Sequence, residues 1–450
     1  MVKTAQSTKH KWFLMIALDV KNAFNTIKWS KIIEELRDRS ISKYLINLID
    51  SYFSERKIII QKKESIDMTA GVPQGSILGP TLWNILYDQV LRLKLPEGVT
   101  NIAYADDLAV LVCAENQIEL ENRANESLRR IDGWMQRNGL QLAPQKTEAI
   151  VFKGPKNRTT LKIEINGKEI IPKKDIRYLG IILDDKLTFG AHVKHVVKKA
   201  EIKLGFLTRI LPNVGGPNSL KRVLLCRVVE SVILYGVPVW NSALRLERYK
   251  ALLTGLHRRA LLRVASGYRT VSAAAIEVAV GIPPISLQAS EREKICNTNN
   301  NTVNPEATKE ALRADTLLAW QDQWDRNTET AQWTKALIRN IIPWVKCKHK
   351  KLDFFVTQFL TGHGNFGSYL KRMRISPTDK CSYCGRIDTP EHTILVCIRW
   401  QTWRSDLETD LGRNLSTHNI TDIMITSEPN WTKICQFIKR VMETKKEEGS

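Results

Sequence analysis

The amino-acid sequence predicts an α+β protein, in which an antiparallel sheet packs on helices and is followed by further helical regions. Two apolar runs, Phe13–Leu18 and Leu108–Cys113, are long enough for buried strands. The short β-prone stretch Asn101–Ala103 precedes the second run, and only a few residues separate them, so these two strands form an antiparallel hairpin. Helix-like stretches lie between and after the strands, which gives the α+β class.

The predicted elements follow one another along the chain. Strands are expected around residues 13–18, 57–61, 101–104 and 108–113, and helices around 29–38, 42–54, 76–94 and 117–138. Farther on, Val223–Val232 and Leu244–Val264 are apolar enough to pack as a helical bundle. The tract Asn297–Pro305 has Val303 as its one apolar residue and predicts a linker. Helices are expected beyond it at 311–324, 333–344, 399–411 and 429–445.

Two adjacent carboxylates, Asp106 and Asp107, lie in the predicted turn of the hairpin. Carboxylates about 4 Å apart repel each other by roughly 4 kcal/mol at an effective dielectric of about 20. A divalent cation held by oxygen ligands would offset that repulsion, whereas a solvated acid pair is the alternative for this motif alone. Asp19, at the end of the first strand, is either a turn residue or a third carboxylate. Three carboxylates can hold the two cations used in phosphoryl transfer.

A loop rich in glycine and proline, Ala70–Pro80, leads into the third predicted helix, at residues 76–94. Ser76 is a candidate N-cap of that helix, and the glycines allow the backbone to approach a flat ligand closely. An ordinary entry into a helix explains any one of these residues, but it explains the whole string poorly.

These motifs, in this order, resemble the palm motifs of reverse transcriptases, specifically those of non-LTR (LINE-type) retrotransposons. The resemblance runs from Leu18 to about Phe189 through the strings ALDVKNAFN, AGVPQGSILGP, YADD, GLQLAPQKT and IRYLGI. It implies a palm at residues 1–185 with most of the fingers missing, and a basic helical thumb at 186–296. Composition and apolar pattern add a linker at 297–307 and a helical C-terminal region at 308–450.

The resemblance also implies roles for individual residues. Asp19, Asp106 and Asp107 would hold two catalytic Mg²⁺ ions, with Lys146 near the triphosphate. Phe24 matches the aromatic residue that blocks the 2′-hydroxyl of a ribonucleotide. The residues implied to contact the nucleotide or the template are Phe24, Pro73, Gln74, Gly75 and Tyr104. Residues 176–181 resemble the hairpin that grips the primer strand.

The activity implied by the resemblance is that of an RNA-directed DNA polymerase, which adds dNTPs to a primer 3′-hydroxyl as it copies an RNA template. The implied partners are template RNA, a DNA primer or target DNA, and dNTPs. Since 18 residues precede Asp19, too few for the family's fingers region, we expect an N-terminally truncated chain. The alternative function is therefore a remnant that binds RNA or DNA with little or no polymerase activity.

The charge of the chain agrees with a polyanionic partner. There are 68 lysines and arginines against 47 acids, giving a formal net charge of +21. Between Thr188 and Val229, basic residues outnumber the single acid, and several recur at helical spacing. The candidate backbone-binding residues on this face are Lys194, Lys198, Lys199, Lys203 and Arg209. A solvated helix face is the alternative, but phosphate contacts would make binding fall steeply with salt.

Four residues near the C-terminus, Cys381, Cys384, His392 and Cys397, have the composition of a closed structural zinc site. Disulfide pairing is the alternative, but no secretory signal is evident. The spacing resembles the Cys-Cys-His-Cys knuckle that follows the polymerase in LINE-type elements, which implies binding of RNA or target DNA. No run of about 18 uncharged apolar residues predicts a membrane span. We expect an intracellular ribonucleoprotein, in the nucleus or the cytoplasm.

Overall fold

The computed structural model describes residues 10–60, 64–73, 75–155, 161–210, 216–298 and 305–448. The chain divides into two compact units, residues 1–192 and 193–450. The division lies seven residues beyond the boundary expected at 185. The second unit contains both the predicted basic helical region and the predicted C-terminal region.

The first unit is built on one antiparallel sheet. Its strands are β1 (Trp12–Leu18), β4 (Val99–Tyr104), β5 (Asp107–Ala114) and β6 (Glu148–Lys153), in the order β4-β5-β1-β6. The two central strands are β1 and β5, whose pairing register places Leu18 opposite Leu108. Because both strands are almost fully buried, they form the centre of the apolar core.

Helices cover this sheet and extend from it. Their bounds are α1 (Ala23–Thr26), α2 (Trp29–Asp38), α3 (Lys43–Phe53), α4 (Gly79–Leu91) and α5 (Gln117–Arg137). The core of the unit forms where α2, α4 and α5 bury their apolar faces together with the sheet. The α+β prediction is therefore confirmed.

Three small hairpins lie among the described residues of the first unit. They pair β2 (Lys57–Ile60) with β3 (Glu64–Asp67), β7 (Glu164–Ile165) with β8 (Lys168–Glu169), and β9 (Asp175–Tyr178) with β10 (Ile181–Asp184). The last hairpin turns through Leu179 and Gly180, both with positive φ (47° and 80°). Two successive positive φ values are typical of a type I′ turn, which matches the twist of the strands it joins.

Two expectations around α4 are wrong. The helix begins at Gly79 and ends at Leu91, so it is shorter than the predicted 76–94. Ser76 is not its N-cap, because the loop continues to Leu78. The Ser76 hydroxyl nevertheless accepts a hydrogen bond from the Gly79 amide at 2.9 Å and donates one to the Pro73 carbonyl at 2.9 Å. The serine therefore ties the loop to the first turn of the helix.

The second unit is helical. Its long helices are α6 (Gly190–Ile210, which begins in the first unit), α7 (Ser219–Ile233), α9 (Glu247–Ala265), α11 (Ile285–Thr298), α12 (Pro305–Arg326), α17 (Gln401–Leu411) and α19 (Glu428–Glu448). Shorter helices are α8 (Val237–Trp240), α10 (Ala273–Val280), α13 (Gln332–Leu337), α14 (Ile341–Lys346), α15 (Phe354–Thr361), α16 (Gly367–Arg372) and α18 (Ile420–Thr426).

The linker expected at 297–307 is shorter than predicted. Helix α11 continues to Thr298 and α12 begins at Pro305, and these two helices pack against each other. Residues 299–304 lie outside the described part of the chain. Residues 297–298 and 305–307, which the polar composition assigned to the linker, are therefore helical.

In the described part of the chain, the helices were compared with the length and composition of a membrane span. No single helix of the described residues is long and apolar enough to cross a bilayer. Two bent pairs, Ser219–Ile233 with Val237–Arg245 and Ala273–Val280 with Ile285–Thr298, pass on length and composition alone.

Candidate active site and zinc site

The strand register brings the three predicted carboxylates to one edge of the sheet. Asp19 follows Leu18, which pairs with Leu108, and Asp107 is the residue before Leu108. Asp107 also pairs with Tyr104 across the two-residue turn Ala105-Asp106. The end of β1 therefore lies beside the tip of the β4–β5 hairpin.

The carboxylates interact electrostatically. Burial raises the pKa of Asp107, and the negative charges of Asp106 and Asp19 raise it further. The direction is the one expected when like charges share a site. A bound cation would reverse this repulsion, since it stabilises the ionised form of every ligand around it.

The hairpin tip has a strained backbone that α4 supports. Ala105 has φ 54°, a conformation that residues other than glycine adopt at a cost. The Trp83 indole donates a hydrogen bond to the Ala105 carbonyl at 3.1 Å, and the Tyr87 hydroxyl donates one to the Asp106 carbonyl at 3.4 Å. Both rings are buried, so they support the turn from its buried side.

Two tyrosine hydroxyls line the buried side of the carboxylates. Tyr87 has a raised pKa because of its burial and the charges of Asp106 and Asp107. Tyr178, at the end of β9, also has a raised pKa through burial and the charge of Asp107. Its hydroxyl is buried and has no hydrogen bond among the described residues. A phenol in this position can donate to an oxygen of the site.

Lys146 brings a positively charged side chain to the carboxylate cluster. The segment that carries it pairs with the chain after β1: the Ala143 amide donates to the Asp19 carbonyl and the Lys21 amide donates to the Gln141 carbonyl, both at 2.8 Å. As a result the Lys146 ammonium lies 3.2 Å from Asp19 Oδ2. That oxygen is buried and lacks a hydrogen bond in the described chain.

These groups fit divalent cations. Carboxylate oxygens are the ligands that Mg²⁺ prefers, and Asp19, Asp106 and Asp107 provide them on adjoining strand ends. Asp19 Oδ2 is buried, and beside its ion pair with Lys146 it makes no hydrogen bond among the described residues, so it remains available as a ligand atom. The three carboxylates also repel one another, because they lie close together.

Among the predicted nucleotide-contacting residues, Phe24 is connected to this cluster through Trp83, which supports the Ala105 turn. Phe24 stacks on Trp83 with a ring separation of 4.8 Å. The glycine-rich loop lies against Phe24, because the Val72 amide donates to the Phe24 carbonyl at 2.7 Å. Pro73 is half-buried, Gly75 and Tyr104 are exposed, and Gln74 lies outside the described residues.

One position of that loop, residue 71, requires glycine. Its φ is 92°, and an added Cβ would lie 2.9 Å from the Asn25 carbonyl oxygen. A side chain there would push the loop away from α1, which carries Phe24.

The five basic residues predicted to bind nucleic acid lie on α6. Lys194, Lys198, Lys199, Lys203 and Arg209 are all exposed. Buried Val193, Val196, Val197 and Ala200 occupy the opposite side of the helix. The helix is thus amphipathic, and its positive charges face solvent.

The cysteines and histidine near the C-terminus converge. All four donor atoms lie within 4.8 Å of one another. Cys381 and Cys397 Sγ are 3.8 Å apart, and Cys384 Sγ is 3.2 Å from His392 Nε2. Two Zn–S bonds of about 2.3 Å at a tetrahedral angle place sulfurs roughly 3.8 Å apart. All four sulfur and nitrogen ligands fit zinc, and the three cysteines are free thiols.

Local backbone geometry prepares this knuckle. Gly385 has φ 69°, and its amide donates to the Cys381 carbonyl at 2.9 Å. Asp388, buried beside His392, accepts from the Gly367 amide at 2.7 Å and pairs with Lys445 at 2.6 Å. Burial raises the pKa of the Cys397 thiol to about 11, and a bound cation would favour the thiolate instead.

Comparison with known proteins identifies the first unit. The reverse transcriptase (RNA-dependent DNA polymerase) family matches residues 2–183. The putative 115 kDa protein in type-1 retrotransposable element R1DM of Drosophila melanogaster is 28% identical over 447 residues, covering 94% of this chain and 43% of the relative. The chain is a homologue of non-LTR retrotransposon reverse transcriptases.

Two further comparisons give partial matches. The RNA-directed DNA polymerase from mobile element jockey of Drosophila funebris is 29% identical over 240 residues, covering 51% of this chain and 26% of the relative. The reverse-transcriptase homologue thus spans less than half the length of both relatives. Among solved structures, apo telomerase from Candida tropicalis has 12% identity and a TM-score of 0.33, covering 68% of this chain and 54% of that chain.

Sequence reasoning missed part of the site of the reverse-transcriptase homologue. It selected Asp19, Asp106 and Lys146, but not Trp83, Tyr87 or Tyr178. The two α4 aromatics recur four residues apart, a spacing that fits a core helix equally well. Tyr178 lies within a motif that the sequence assigns to primer binding, and its proximity to Asp107 depends on the fold.

Proposed function

We propose that this chain is an RNA-directed DNA polymerase that adds dNTPs to a primer 3′-hydroxyl, copying an RNA template with two Mg²⁺ ions. The observation that carries the proposal is the convergence of Asp19, Asp106 and Asp107 on one edge of the sheet within the region matched by the reverse-transcriptase family. The raised pKa of Asp107 supports a shared cation site.

The residues of the cluster have separate tasks. Asp19, Asp106 and Asp107 would hold the divalent ions. When bound, such ions activate the attacking hydroxyl and stabilise the leaving oxygen of an in-line transfer. Lys146 would exchange its contact with Asp19 for the phosphates of the nucleotide, since an ammonium is a mobile point charge.

The surrounding residues would position the substrates. Phe24 is held by its stacking on Trp83 and would exclude a 2′-hydroxyl. Pro73, Gln74 and Gly75 would lie beneath the new base pair, and Tyr104 would contact the nucleotide. The Tyr178 hydroxyl, which lacks a hydrogen bond among the described residues, would donate to an oxygen of the bound substrate or to Asp107. Orientation of this kind contributes roughly 7–11 kcal/mol in favourable cases.

Other parts of the chain would bind the polymer. The exposed basic residues of α6 would contact the phosphate backbone of the template–primer duplex. Zinc held by Cys381, Cys384, His392 and Cys397 would stabilise a module that binds RNA or target DNA. We propose that the protein acts within the cell as a ribonucleoprotein.

Primer extension tests this function. The purified chain would be given an RNA template, a DNA primer, dNTPs and Mg²⁺, beside Asp106→Asn and the control Asp50→Asn, an exposed aspartate on α3. Extension by the wild type and the control, lost in Asp106→Asn, is the expected result.

Binding of the same template–primer, measured in parallel, separates the alternative. Tight binding without extension by the wild type would indicate a nucleic-acid-binding remnant and overturn the polymerase proposal. Extension that survives Asp106→Asn would overturn the assignment of the carboxylate site.

A further inference from the structure

A second group of potential metal ligands lies inside the second unit, apart from the knuckle. Cys226 and Glu230 are four residues apart on α7 and share one face. His257 on α9 lies opposite them. All three residues are almost completely buried: Cys226 and Glu230 are each 1% exposed, and His257 is 0% exposed.

The donor atoms of the Cys226–Glu230–His257 cluster are close together. All three lie within 4.8 Å of one another. Glu230 Oε1 is 3.7 Å from Cys226 Sγ and 2.9 Å from His257 Nε2. Metal bonds of about 2.0–2.3 Å at tetrahedral angles place neighbouring donors roughly 3.3–3.7 Å apart. The Cys226–Glu230 separation already matches, and the Glu230–His257 separation would have to lengthen by a few tenths of an ångström.

The second oxygen of Glu230 is already engaged. Its Oε2 pairs with Arg227 Nη1 at 2.6 Å, which leaves Oε1 pointing at the cluster. Gln288 on α11 donates to the same Oε1 at 3.2 Å and to the Pro283 carbonyl at 2.8 Å. The carboxylate is therefore fixed in orientation, as metal-binding carboxylates usually are.

The other nitrogen of His257 faces a second acid. Glu277 on α10 is 4% exposed, and its Oε1 lies 3.7 Å from His257 Nδ1. Neither atom has a hydrogen bond among the described residues. A histidine that binds a metal through one nitrogen usually donates its other N–H to a carboxylate, which fixes the ring orientation. Glu277 is in position for this role.

His257 Nδ1 and Glu277 Oε1 face each other in a buried site at 3.7 Å, too far apart for a hydrogen bond. Leaving a buried donor or acceptor without a partner costs about 1–3 kcal/mol, and more for a charged group. A cation bound at Nε2 would leave Nδ1 protonated and able to donate to Glu277. It would also compensate the charges of Glu230 and Glu277.

We propose that Cys226, Glu230 and His257 bind a Zn²⁺ ion, with Glu277 as the positioning residue behind His257. Sulfur, nitrogen and carboxylate ligands in one site are characteristic of zinc, and three protein ligands leave a fourth position for water. The ion joins α7 to α9. Glu277 on α10 faces His257, and Gln288 on α11 donates a hydrogen bond to Glu230, so both helices orient the ligands. The site is independent of the polymerase function, so that its failure would leave that function untouched.

Metal counting on the full-length chain tests the proposal. The wild type, purified with Zn²⁺ and freed of loosely bound ions, is expected to contain two equivalents of zinc. Cys384→Ser, which breaks the knuckle, and Cys226→Ser are each expected to contain one. Cys296→Ser, which changes an exposed cysteine, is the matched control and keeps two.

Cobalt provides a readout that does not depend on the folding of Cys226→Ser. Co²⁺ added to Cys384→Ser is expected to give the absorption of a single cobalt–thiolate bond. Glu277→Gln in the same background keeps all three ligands and should weaken cobalt binding by about 10–100-fold. A single equivalent of zinc in the wild type, or no cobalt–thiolate absorption in Cys384→Ser, would overturn the proposal. The cluster would then be a metal-free ion-pair network.

Discussion

At the scale of single residues, the carboxylate site depends on aromatic side chains outside the recognised motifs. Trp83 supports the strained turn at Ala105 with a hydrogen bond, and it also stacks on Phe24. One residue therefore connects the hairpin that carries Asp106 and Asp107 to the residue expected to select deoxyribonucleotides.

Trp83→Phe removes the indole N–H but keeps an aromatic ring. The lost hydrogen bond is worth about 0.5–1.5 kcal/mol of stability. We expect primer extension to fall by more than template–primer binding, because Ala105 and Asp106 lose their support. Rate and affinity measured on the same preparation check this, with Trp403→Phe on α17 as control. An unchanged rate would show that the hairpin keeps its geometry without Trp83.

His363 gives the second unit a pH dependence. Burial lowers its pKa to about 4, with help from the charges of Arg372 and Arg258. The unfolded chain takes up the proton near pH 6.5, so this contribution to stability is complete above about pH 6.5 and is lost as the pH falls toward 4.

The shift corresponds to at most about 3 kcal/mol, reduced to roughly 1–2 kcal/mol because the ring is partly exposed. His363→Gln should therefore lose less stability than the wild type between about pH 7 and about pH 4.5. Denaturant unfolding at the two pH values measures the difference, and His418→Gln, at an exposed histidine, is the control. Equal losses in wild type and His363→Gln would contradict the prediction.

At the scale of elements, the sequence predicts strands and helices well where the apolar pattern is long. Strand β1 and helices α2 and α5 lie within a residue or so of their expected bounds. Strand β6 was not predicted, because its apolar run Ala149–Phe152 is short and owes its place to pairing with β1. The start of α4 was wrong because loop closure by Ser76 resembles a cap in sequence.

We expect the basic face of helix α6 to determine how strongly nucleic-acid affinity depends on salt. Lys194, Lys198 and Lys203, all exposed, would each release about one counterion from duplex phosphate. Replacing all three with Gln should lower the slope of log affinity against log salt by roughly 0.9 per lysine. A matched triple variant, Lys250→Gln, Lys309→Gln and Lys433→Gln, has the same net charge and should keep the wild-type slope. Equal slopes in the two variants would place the backbone contacts elsewhere.

At the scale of the whole molecule, the sequence motifs locate the carboxylate site but do not predict where the chain divides into two compact units. Asp19, Asp106 and Lys146 are recognisable in sequence because each belongs to a local string, and the fold brings those strings together. The unit boundary near His192 and the packing of α11 on α12 arise from tertiary contacts that composition does not record. The Cys226–Glu230–His257 cluster escapes sequence reasoning for the same reason, since its ligands come from separate helices.

The claim that three carboxylates hold the catalytic cations is tested most directly by single-nucleotide incorporation. The rate of adding one dNTP to a primer on an RNA template would be measured against Mg²⁺ concentration in wild type and Asp106→Asn. We expect incorporation that requires Mg²⁺ and falls at least about a thousandfold in the variant, because losing a ligand removes several kcal/mol of charge stabilisation. Equal rates in the two proteins, or incorporation that does not depend on the metal, would contradict it.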